Sequence, residues 1–376
     1  MRVALLCPYS VSHPGGVQGQ VAGLGVALAA AGHDVTVLAP CDGEVVVAGL
    51  GREGGLHGPR LVELGRSIKV PANGSVAPLA LTPAASARAL RVVRHGGFDV
   101  LHLHEPLAPG PGLACLVGTA LPKVGTFHRA GASAAYRLLG PLARRAAGRL
   151  QARCAVSDEA RATAEEALGG SCEVVGNGID LERFTTVAPA PAPGPTVLFV
   201  GRHEPRKGLG VLLEALARMA PAARPVCWVA GEGPETEALR RRYPPGAGLI
   251  WLGRVGDDEL AARLAGAHIL CAPSLGGESF GVVLLEAMAA RAAVVASDLP
   301  GYAAVVGSHG VLVPPGDAAA LAAALTTVVA DAAGGTGRCA PAALEAARTH
   351  AAHWSMPRVA ERYAAIYRRV TGTPPT

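Results

Sequence analysis

Apolar residues at the start of the chain fall into short runs separated by turn residues. Arg2–Cys7 is a nearly continuous apolar run of strand length. A Gly-rich stretch, Pro14-Gly15-Gly16, leads into a helical segment reaching about Ala31. Gly32-His33 then turns the chain into a second short run, Asp34–Ala39. Strand, helix and strand in that order predict a βαβ unit. Further runs at Val100–His104, Lys123–Phe127, Arg153–Val156 and Glu173–Val175 continue the series. Runs that do not alternate with polar residues belong to strands covered on both faces, so the pattern predicts a parallel sheet.

From Val187 the sequence turns to VAPAPAPGP, a composition that favours an extended, semi-rigid spacer. A second series follows at Thr196–Val200, Val226–Ala230, Leu249–Leu252, Ile269–Ala272, Ala293–Ala296 and Gly310–Val313, with helical segments between. The expected layout is a first domain over 1–186, a linker over 187–195 and a second doubly wound domain over 196–357. From His350 to Val370, apolar Trp354, Val359, Tyr363, Ile366 and Tyr367 recur at helical spacing, with Arg358, Arg362 and Arg368-Arg369 among them, which predicts a long terminal helix.

Composition agrees with two domains. A chain of 376 residues that is 50% apolar is too long for one ordinary core, and a charged fraction of 17% suits helix-on-sheet packing better than disorder. The net charge of +5 fits anionic substrates or an anionic membrane surface and does not call for nucleic acid. The 8 cysteines are scattered without a CxxC pair, which reads as buried thiols rather than a zinc or redox site. The apolar run Val3 to Cys7 is cut off by Pro8 and is too short for a signal peptide, and no stretch is long enough to span a bilayer. The expected location is cytoplasmic, with peripheral membrane contact open.

Ligands of open parallel sheets bind beyond the carboxyl ends of the strands, and two such sheets face to face would hold a nucleotide conjugate between them. A dinucleotide fold would show G-x-G-x-x-G after a strand. Gly15-Gly16-Val17-Gln18-Gly19 has another spacing, and Gly231-Glu232-Gly233-Pro234 stops after two glycines. A P-loop is absent as well. The Gly15-Gly16 loop is either an ordinary tight turn or a place where backbone and helix amides approach a phosphate. In Gly201-Arg202-His203-Glu204-Pro205-Arg206-Lys207-Gly208, Arg202 and Lys207 form either a solvated basic loop or a pair of cations that neutralises a diphosphate leaving group. No Asp-x-Asp metal signature occurs in the chain, so a diphosphate would need such cations, and no metal or other cofactor is expected.

The richest constellation is Gly276-Gly277-Glu278-Ser279-Phe280-Gly281-Val282-Val283-Leu284-Leu285-Glu286. The run Ile269–Ala272 supplies a strand, Pro273–Gly277 a loop, and Ser279 is the expected N-cap of the following helix. Glu278 then sits at the positive end of that helix. Glu286 lies about two turns in, on the order of 10 Å away at roughly 1.5 Å per residue. That separation suits the two ends of a sugar–diphosphate–ribose unit, with the amides facing phosphate, one carboxylate on ribose hydroxyls and the other on the sugar. A carboxylate inside an otherwise apolar helix requires a partner, and this is the argument against an incidental Glu286.

Two glutamates separated by seven residues on this framework resemble the retaining glycosyltransferases of the two-Rossmann, or GT-B, type. Within that group the chain is most similar to phosphatidylinositol α-mannosyltransferases. The similarity runs through Cys7-Pro8-Tyr9-Ser10, Pro14-Gly15-Gly16-Val17-Gln18, Asn73-Gly74-Ser75-Val76-Ala77, Phe98-Asp99-Val100-Leu101-His102, Thr126-Phe127-His128, Gly276 to Gly281 and Ala296-Ser297-Asp298-Leu299. The resemblance implies two facing Rossmann-like domains, with a C-terminal helix, 358–376, returning to the first. It implies a nucleotide-sugar donor, GDP-mannose, held by Gly15, Gly16, Arg202, Lys207, Gly231, Val255, Asp257, Glu278, Ser279, Phe280, Gly281 and Glu286. Arg202 and Lys207 would meet the diphosphate, Glu286 the ribose, Glu278 the mannose, and Val255 and Asp257 the base. His128 would stand near the reacting carbon, although a lone histidine after a strand can equally be a satisfied core residue. Tyr9, Gln18, Asn73 and Ser75 would bind a polyol or phosphoinositide-like acceptor.

The chain departs from the family at several places. Ala72 stands where the family has Tyr, Pro78 where an Arg is usual, and the Lys-rich membrane helix becomes Ala84–His95 with Arg88, Arg91 and Arg94. Arg291 replaces a helix-ending glycine, and Gly176 replaces a proline. The donor residues are thus intact while the acceptor loop differs. This leaves open a UDP-sugar transferase with a soluble acceptor, a nucleotide-sugar 2-epimerase, and a noncatalytic sugar-nucleotide binding protein.

Overall fold

The structure, a computed structural model, describes residues 1–51, 58–72, 75–129, 131, 140–246 and 248–373, with backbone alone at 71, 72, 75 and 76. The chain divides into two units, Met1–Gly178 with Met356–Thr376, and Ile179–Ser355.

The strands of the first unit are β1 (Arg2–Leu6), β2 (Asp34–Ala39), β3 (Arg60–Glu63), β4 (Ile68–Ala72), β5 (Ser75–Leu79), β6 (Val100–His104), β7 (Lys123–Phe127), β8 (Ala152–Ala155) and β9 (Glu173–Val174). β4 and β5 pair as an antiparallel hairpin, and the rest form a parallel sheet in the order β3-β2-β1-β6-β7-β8-β9. Along β1, Val3 and Leu5 enter one core with Val37 and Val100, while Ala4 and Leu6 enter the other with Leu38 and Leu101. With cores on both faces the strand has no solvent side, which explains the unbroken apolar run. The second unit repeats the plan with β10 (Thr196–Val200), β11 (Val226–Ala230), β12 (Leu249–Gly253), β13 (Ile269–Ala272), β14 (Ala293–Ser297) and β15 (Gly310–Val313), ordered β12-β11-β10-β13-β14-β15.

In each sheet the strand order reverses once, between β1 and β6 and between β10 and β13. At such a point the loops leaving two neighbouring strands diverge and open a crevice at the carboxyl ends.

The last helix, Met356–Thr371, lies in the first unit. Val359, Ala360, Tyr363, Ile366 and Tyr367 enter the core shared with β1 and with the helix Gly16–Ala30. The single terminal helix expected from His350 onward is broken. One helix, Pro341–Ala351, ends in a 3-10 turn, Ala352–Trp354, and the chain changes units before Met356. Trp354 therefore packs with the second core rather than with Tyr363 and Tyr367. Continuous helical spacing outweighed the boundary signal of Pro357, because the turn itself has a period near three.

Apolar runs locate β2, β6, β7, β10, β11, β13 and β15 to the residue, and the other expected strands shift by one residue at one or both ends. β3, β4 and β5 escaped the pattern because edge and hairpin strands mix charge and proline, as in IKVPA and SVAPL. The units divide at Gly178/Ile179, ahead of the Pro/Ala-rich stretch 187–195. That stretch packs within the second unit: Ala190 N–H donates to the Ala262 carbonyl at 2.8 Å, and a Cβ at Gly266 would stand 2.2 Å from the Ala190 oxygen. Its composition excludes regular structure but not packing.

Candidate active site

In the second unit the loops leaving β10 and β13 carry the expected donor-site charges. Pro205–Lys207 forms one 3-10 turn after β10, and Gly208, at φ 69°, starts the helix Leu209–Arg218. A Cβ on Gly208 would stand 1.9 Å from the Pro273 carbonyl oxygen, so glycine allows the β10 loop to lie directly on the β13 loop. Leu275 N–H, donating to the Arg206 carbonyl at 2.7 Å, ties the same two loops.

Five charged side chains interlock across this seam. Glu204, 3% exposed, accepts from Arg202 and, at 3.0 Å, from Arg206 Nε. Arg206 Nη1 also reaches Glu278 Oε1 at 2.9 Å, and Lys207 Nζ reaches that oxygen at 2.7 Å. Ser274 Oγ lies 3.4 Å from it and 3.0 Å from the Tyr302 hydroxyl. Three cations and two carboxylates leave one positive charge over, a balance that would attract an anionic group. Sequence reasoning assigned Arg202, Lys207 and Glu278. It missed Glu204 and Arg206, whose signal was the alternating charge in Arg-His-Glu-Pro-Arg-Lys.

Ser279 is not the helix cap. Gly281 is the N-cap, at φ 90° and ψ 52°, and the helix runs Val282–Ala289. A Cβ on Gly281 would meet the Tyr302 ring at 2.6 Å, so the close packing of that ring demands the glycine and delays the helix start. Phe280 faces inward, edge-on to Trp354 at 6.4 Å, and its ring is core. Glu286 sits one turn into the helix. Burial raises its carboxyl above the ordinary value, with the Arg183 guanidinium pulling down and Asp257 pushing up. Arg183, unassigned from sequence, donates to the Asp257 carbonyl and lies 3.7 Å from its carboxylate. Asp257 opens the helix Asp257–Gly266, and Val255 packs against the core just before it. Gly231, at φ 120°, brings the β11 loop onto the β10 loop: a Cβ there would be 2.0 Å from the Gly201 oxygen.

In the first unit, β1 opens into the loop that ends at Gly15, and the helix starts at Gly16 with no side-chain cap. A Cβ on Gly15 would strike Gln18, whereas a Cβ on Gly16 would meet nothing within 4 Å. Gln18 is buried, and its amide donates to the Ser10 and His13 carbonyls at 3.3 Å each, which fixes the loop ahead of the helix amides. Tyr9 pairs with Leu79 at the end of β5, so the β4–β5 hairpin adjoins this loop. Burial raises its phenol above the usual range, with Glu105 adding to the shift. Asn73 and the side chain of Ser75 lie outside the described residues.

His128 follows β7 and stands beside the end of β6. Its backbone N–H donates to Glu105 Oε1 at 2.7 Å, and its Nε2 lies 2.8 Å from His104 Nδ1. Glu105 is buried and holds a left-handed backbone, φ 48°, unusual outside glycine. Burial lowers His128 to about 4, so its imidazole is neutral.

A family model described as Glycosyltransferase Family 4 matches residues 14–183, and one described as Glycosyl transferases group 1 matches residues 194–331. A phosphatidyl-myo-inositol mannosyltransferase of Mycolicibacterium smegmatis is 39% identical over 385 aligned residues, covering 99% of this chain and 95% of that protein. Its counterpart in Mycobacterium leprae is 41% identical over 345 residues, covering 88% of this chain and 87% of that protein. The chain belongs to the phosphatidyl-myo-inositol mannosyltransferase family of glycosyltransferases.

Among solved structures, sucrose-phosphate synthase of Thermosynechococcus elongatus matches with a TM-score of 0.76 at 22% identity, covering 99% of this chain and 100% of that one, and shares the fold. The fold is thus GT-B, an α/β arrangement of two Rossmann-like domains, and the chain is a hexosyltransferase by family. In this family member Arg202, Glu204, Arg206, Lys207 and Glu278 gather at the second switch point. Gly16, Glu105 and His128 gather at the carboxyl ends of β1, β6 and β7 around the first.

Proposed function

We propose that this chain is a retaining, metal-independent α-mannosyltransferase that moves mannose from GDP-mannose to phosphatidylinositol or a related polyol lipid. The observation that carries the reading is the Arg202–Glu204–Arg206–Lys207–Glu278 cluster at a switch point, in a chain about 40% identical to phosphatidyl-myo-inositol mannosyltransferases. Arg202 and Lys207 would hold the diphosphate, Glu278 the sugar hydroxyls and Glu286 the ribose, with Val255 and Asp257 at the base. The exposed helix amides at Gly16 would approach the phosphates, and His128 would meet the sugar near its reacting carbon. The acceptor oxygen bonds to the anomeric carbon as the bond to the diphosphate breaks on the same face, and the acceptor proton passes to a diphosphate oxygen.

On the acceptor side, Tyr9, Gln18, Asn73 and Ser75 would border the polyol. Pro78 stands where the family has Arg, but its cross-strand partner in the hairpin is the exposed Lys69, which keeps a cation there for a phosphate. No helix among the described residues is long and apolar enough to cross a membrane. On the helix Pro83–His95, Ala85, Ala89 and Val93 face inward while Arg88, Arg91 and Arg94 are exposed, a face able to meet anionic lipid.

The test is incubation with labelled GDP-mannose and, separately, UDP-glucose, against phosphatidylinositol, free inositol phosphate and a lipid extract. Label moving from GDP-mannose to phosphatidylinositol with an α linkage is the expected result. Transfer only to a soluble acceptor, or only from UDP-glucose, would support instead a soluble-acceptor enzyme, the reading that Ala72 and Pro78 favour.

A further inference from the structure

His102 and His104 alternate along β6 on one face of the sheet, their rings 4.3 Å apart and both buried. His102 is satisfied at both nitrogens: Nδ1 lies 2.7 Å from the Tyr367 hydroxyl and Nε2 lies 2.7 Å from Thr126 Oγ1, which in turn is 3.0 Å from the Tyr363 hydroxyl. His104 is not. Its Nδ1 faces His128 Nε2 at 2.8 Å, and its buried Nε2 has no partner among the described residues.

Burial drives His102 to about 3, His128 to about 4, and His104 well below the usual histidine value. Each ring is therefore neutral, with one N–H and one bare nitrogen. Two neutral rings joined at 2.8 Å share a single proton across the contact, so their tautomers are coupled. If His128 Nε2 carried it, His104 would be protonated at Nε2, leaving an N–H donor buried with no acceptor among the described residues. If His104 Nδ1 carries it, only a lone pair is left unpaired at His104 Nε2. Orphaned buried N–H groups are the rarer of the two, because a lost donor forfeits a full hydrogen bond.

We infer that His104 donates its Nδ1 proton to His128 and thereby fixes His128 as the Nδ1–H tautomer, a hydrogen-bond donor rather than a base. His104 is a positioning residue: it acts on the ligand only through His128. Glu105 completes the arrangement by holding the His128 backbone N–H, which sets where the ring begins. A donor at His128 would meet a lone-pair-bearing oxygen of the bound glycoside and would not take the acceptor's proton, which agrees with that proton going to the diphosphate. The assignment rests on the reading that His128 contacts the donor, but the tautomer itself is a property of the ligand-free protein.

The experiment is long-range proton–nitrogen correlation NMR on the full-length chain labelled with nitrogen-15 histidine, near neutral pH and without substrate. The expected result is a protonated Nδ1 and bare Nε2 at His128. In His104→Leu, His128 should gain a population protonated at Nε2, and kcat should fall roughly tenfold with KM for donor little changed, since one oriented hydrogen bond is lost. A His128 protonated at Nε2 in the unmodified protein, or a tautomer unaltered in His104→Leu, overturns the inference. If instead the tautomer is as stated but His128→Ala transfers mannose at full rate, the functional reading of His128 fails while the tautomer assignment stands.

Discussion

Lys207 Nζ and Arg206 Nη1 converge on one oxygen of Glu278, at 2.7 Å and 2.9 Å. Arg206 is also anchored to Glu204 at 3.0 Å, whereas among the described residues Lys207 pairs with this carboxylate alone. If the proposed diphosphate binds in this crevice, it can draw Lys207 away while Arg206 stays and keeps Glu278 oriented. On the proposed reading, replacing Lys207 with Met removes a charge that would face the leaving group, and such losses run to about a hundredfold or more. Initial rates should show kcat/KM for GDP-mannose falling by about that factor, with the unfolding midpoint nearly unchanged. A fall of threefold or less would show that Lys207 serves only the ion cluster.

Glu204 is almost wholly buried yet bonds two arginines that remain partly in water. Glu204→Gln keeps the shape and removes the charge. Weakening two charge-assisted bonds should lower stability by about 2 kcal/mol in urea unfolding. It should also lower kcat by freeing Arg206 from one of its two anchors. The double variant Glu204→Gln, Arg206→Gln should lose less activity than the product of the single losses, because the two residues act as one element. Full multiplicative losses would mean that the residues act independently.

Two glycines should respond in opposite ways. A Cβ at Gly16 meets nothing within 4 Å, so Gly16→Ala should leave stability within about 0.5 kcal/mol while obstructing a phosphate's approach, seen as a donor KM raised at least tenfold. A Cβ at Gly208 falls 1.9 Å from the Pro273 oxygen on a backbone at φ 69°, so Gly208→Ala should cost about 2 kcal/mol or more in unfolding. Donor binding unaffected by Gly16→Ala would remove that glycine from the phosphate site.

The strands with both faces buried were legible because their apolar runs report burial directly, as in Val100–His104 and Ile269–Ala272. The breaks were not. Helical spacing continues from Ala351 through the 3-10 turn into Met356 and overrode the local mark of a new helix, Ser355 followed by Pro357, and no local pattern reports that the chain changes units there. Ser279 has the chemistry of an N-cap, but the Tyr302 ring packed on Gly281 moves the helix start. Within the cluster, the place of Glu278 on the loop after β13 was readable from the motif. Residues whose role depends on a contact across the fold were not: Glu204, Arg206 and His104 gain meaning only when β10 meets β13, or β6 meets β7. Arg291 shows the reverse case. The missing helix-ending glycine was visible in sequence, and the structure holds Arg291 at φ 59° with its guanidinium 2.8 Å from Glu345.

Glu286 gives the sharpest test of how stability and donor binding oppose each other. Burial raises its carboxyl above the ordinary 4.5, so the folded protein favours the protonated form. Between that value and the higher folded pKa, the native state binds more protons than the unfolded chain, and unfolding free energy falls as pH rises. Above the folded pKa the penalty of a partly buried charge is present, relieved in part by Arg183. Glu286→Gln removes the charge and nothing else of size. Its unfolding free energy should exceed that of the unmodified protein at pH 7 to 8, and the two should converge toward pH 4. The same variant should bind GDP-mannose more weakly, because a neutral amide accepts ribose hydroxyls less strongly than a carboxylate. Urea unfolding across pH 4 to 8, with donor titration at pH 7.5, separates the two effects. A variant less stable than the parent at every pH would mean that Glu286 supports the fold through contacts of its own rather than being held there against the cost of burial.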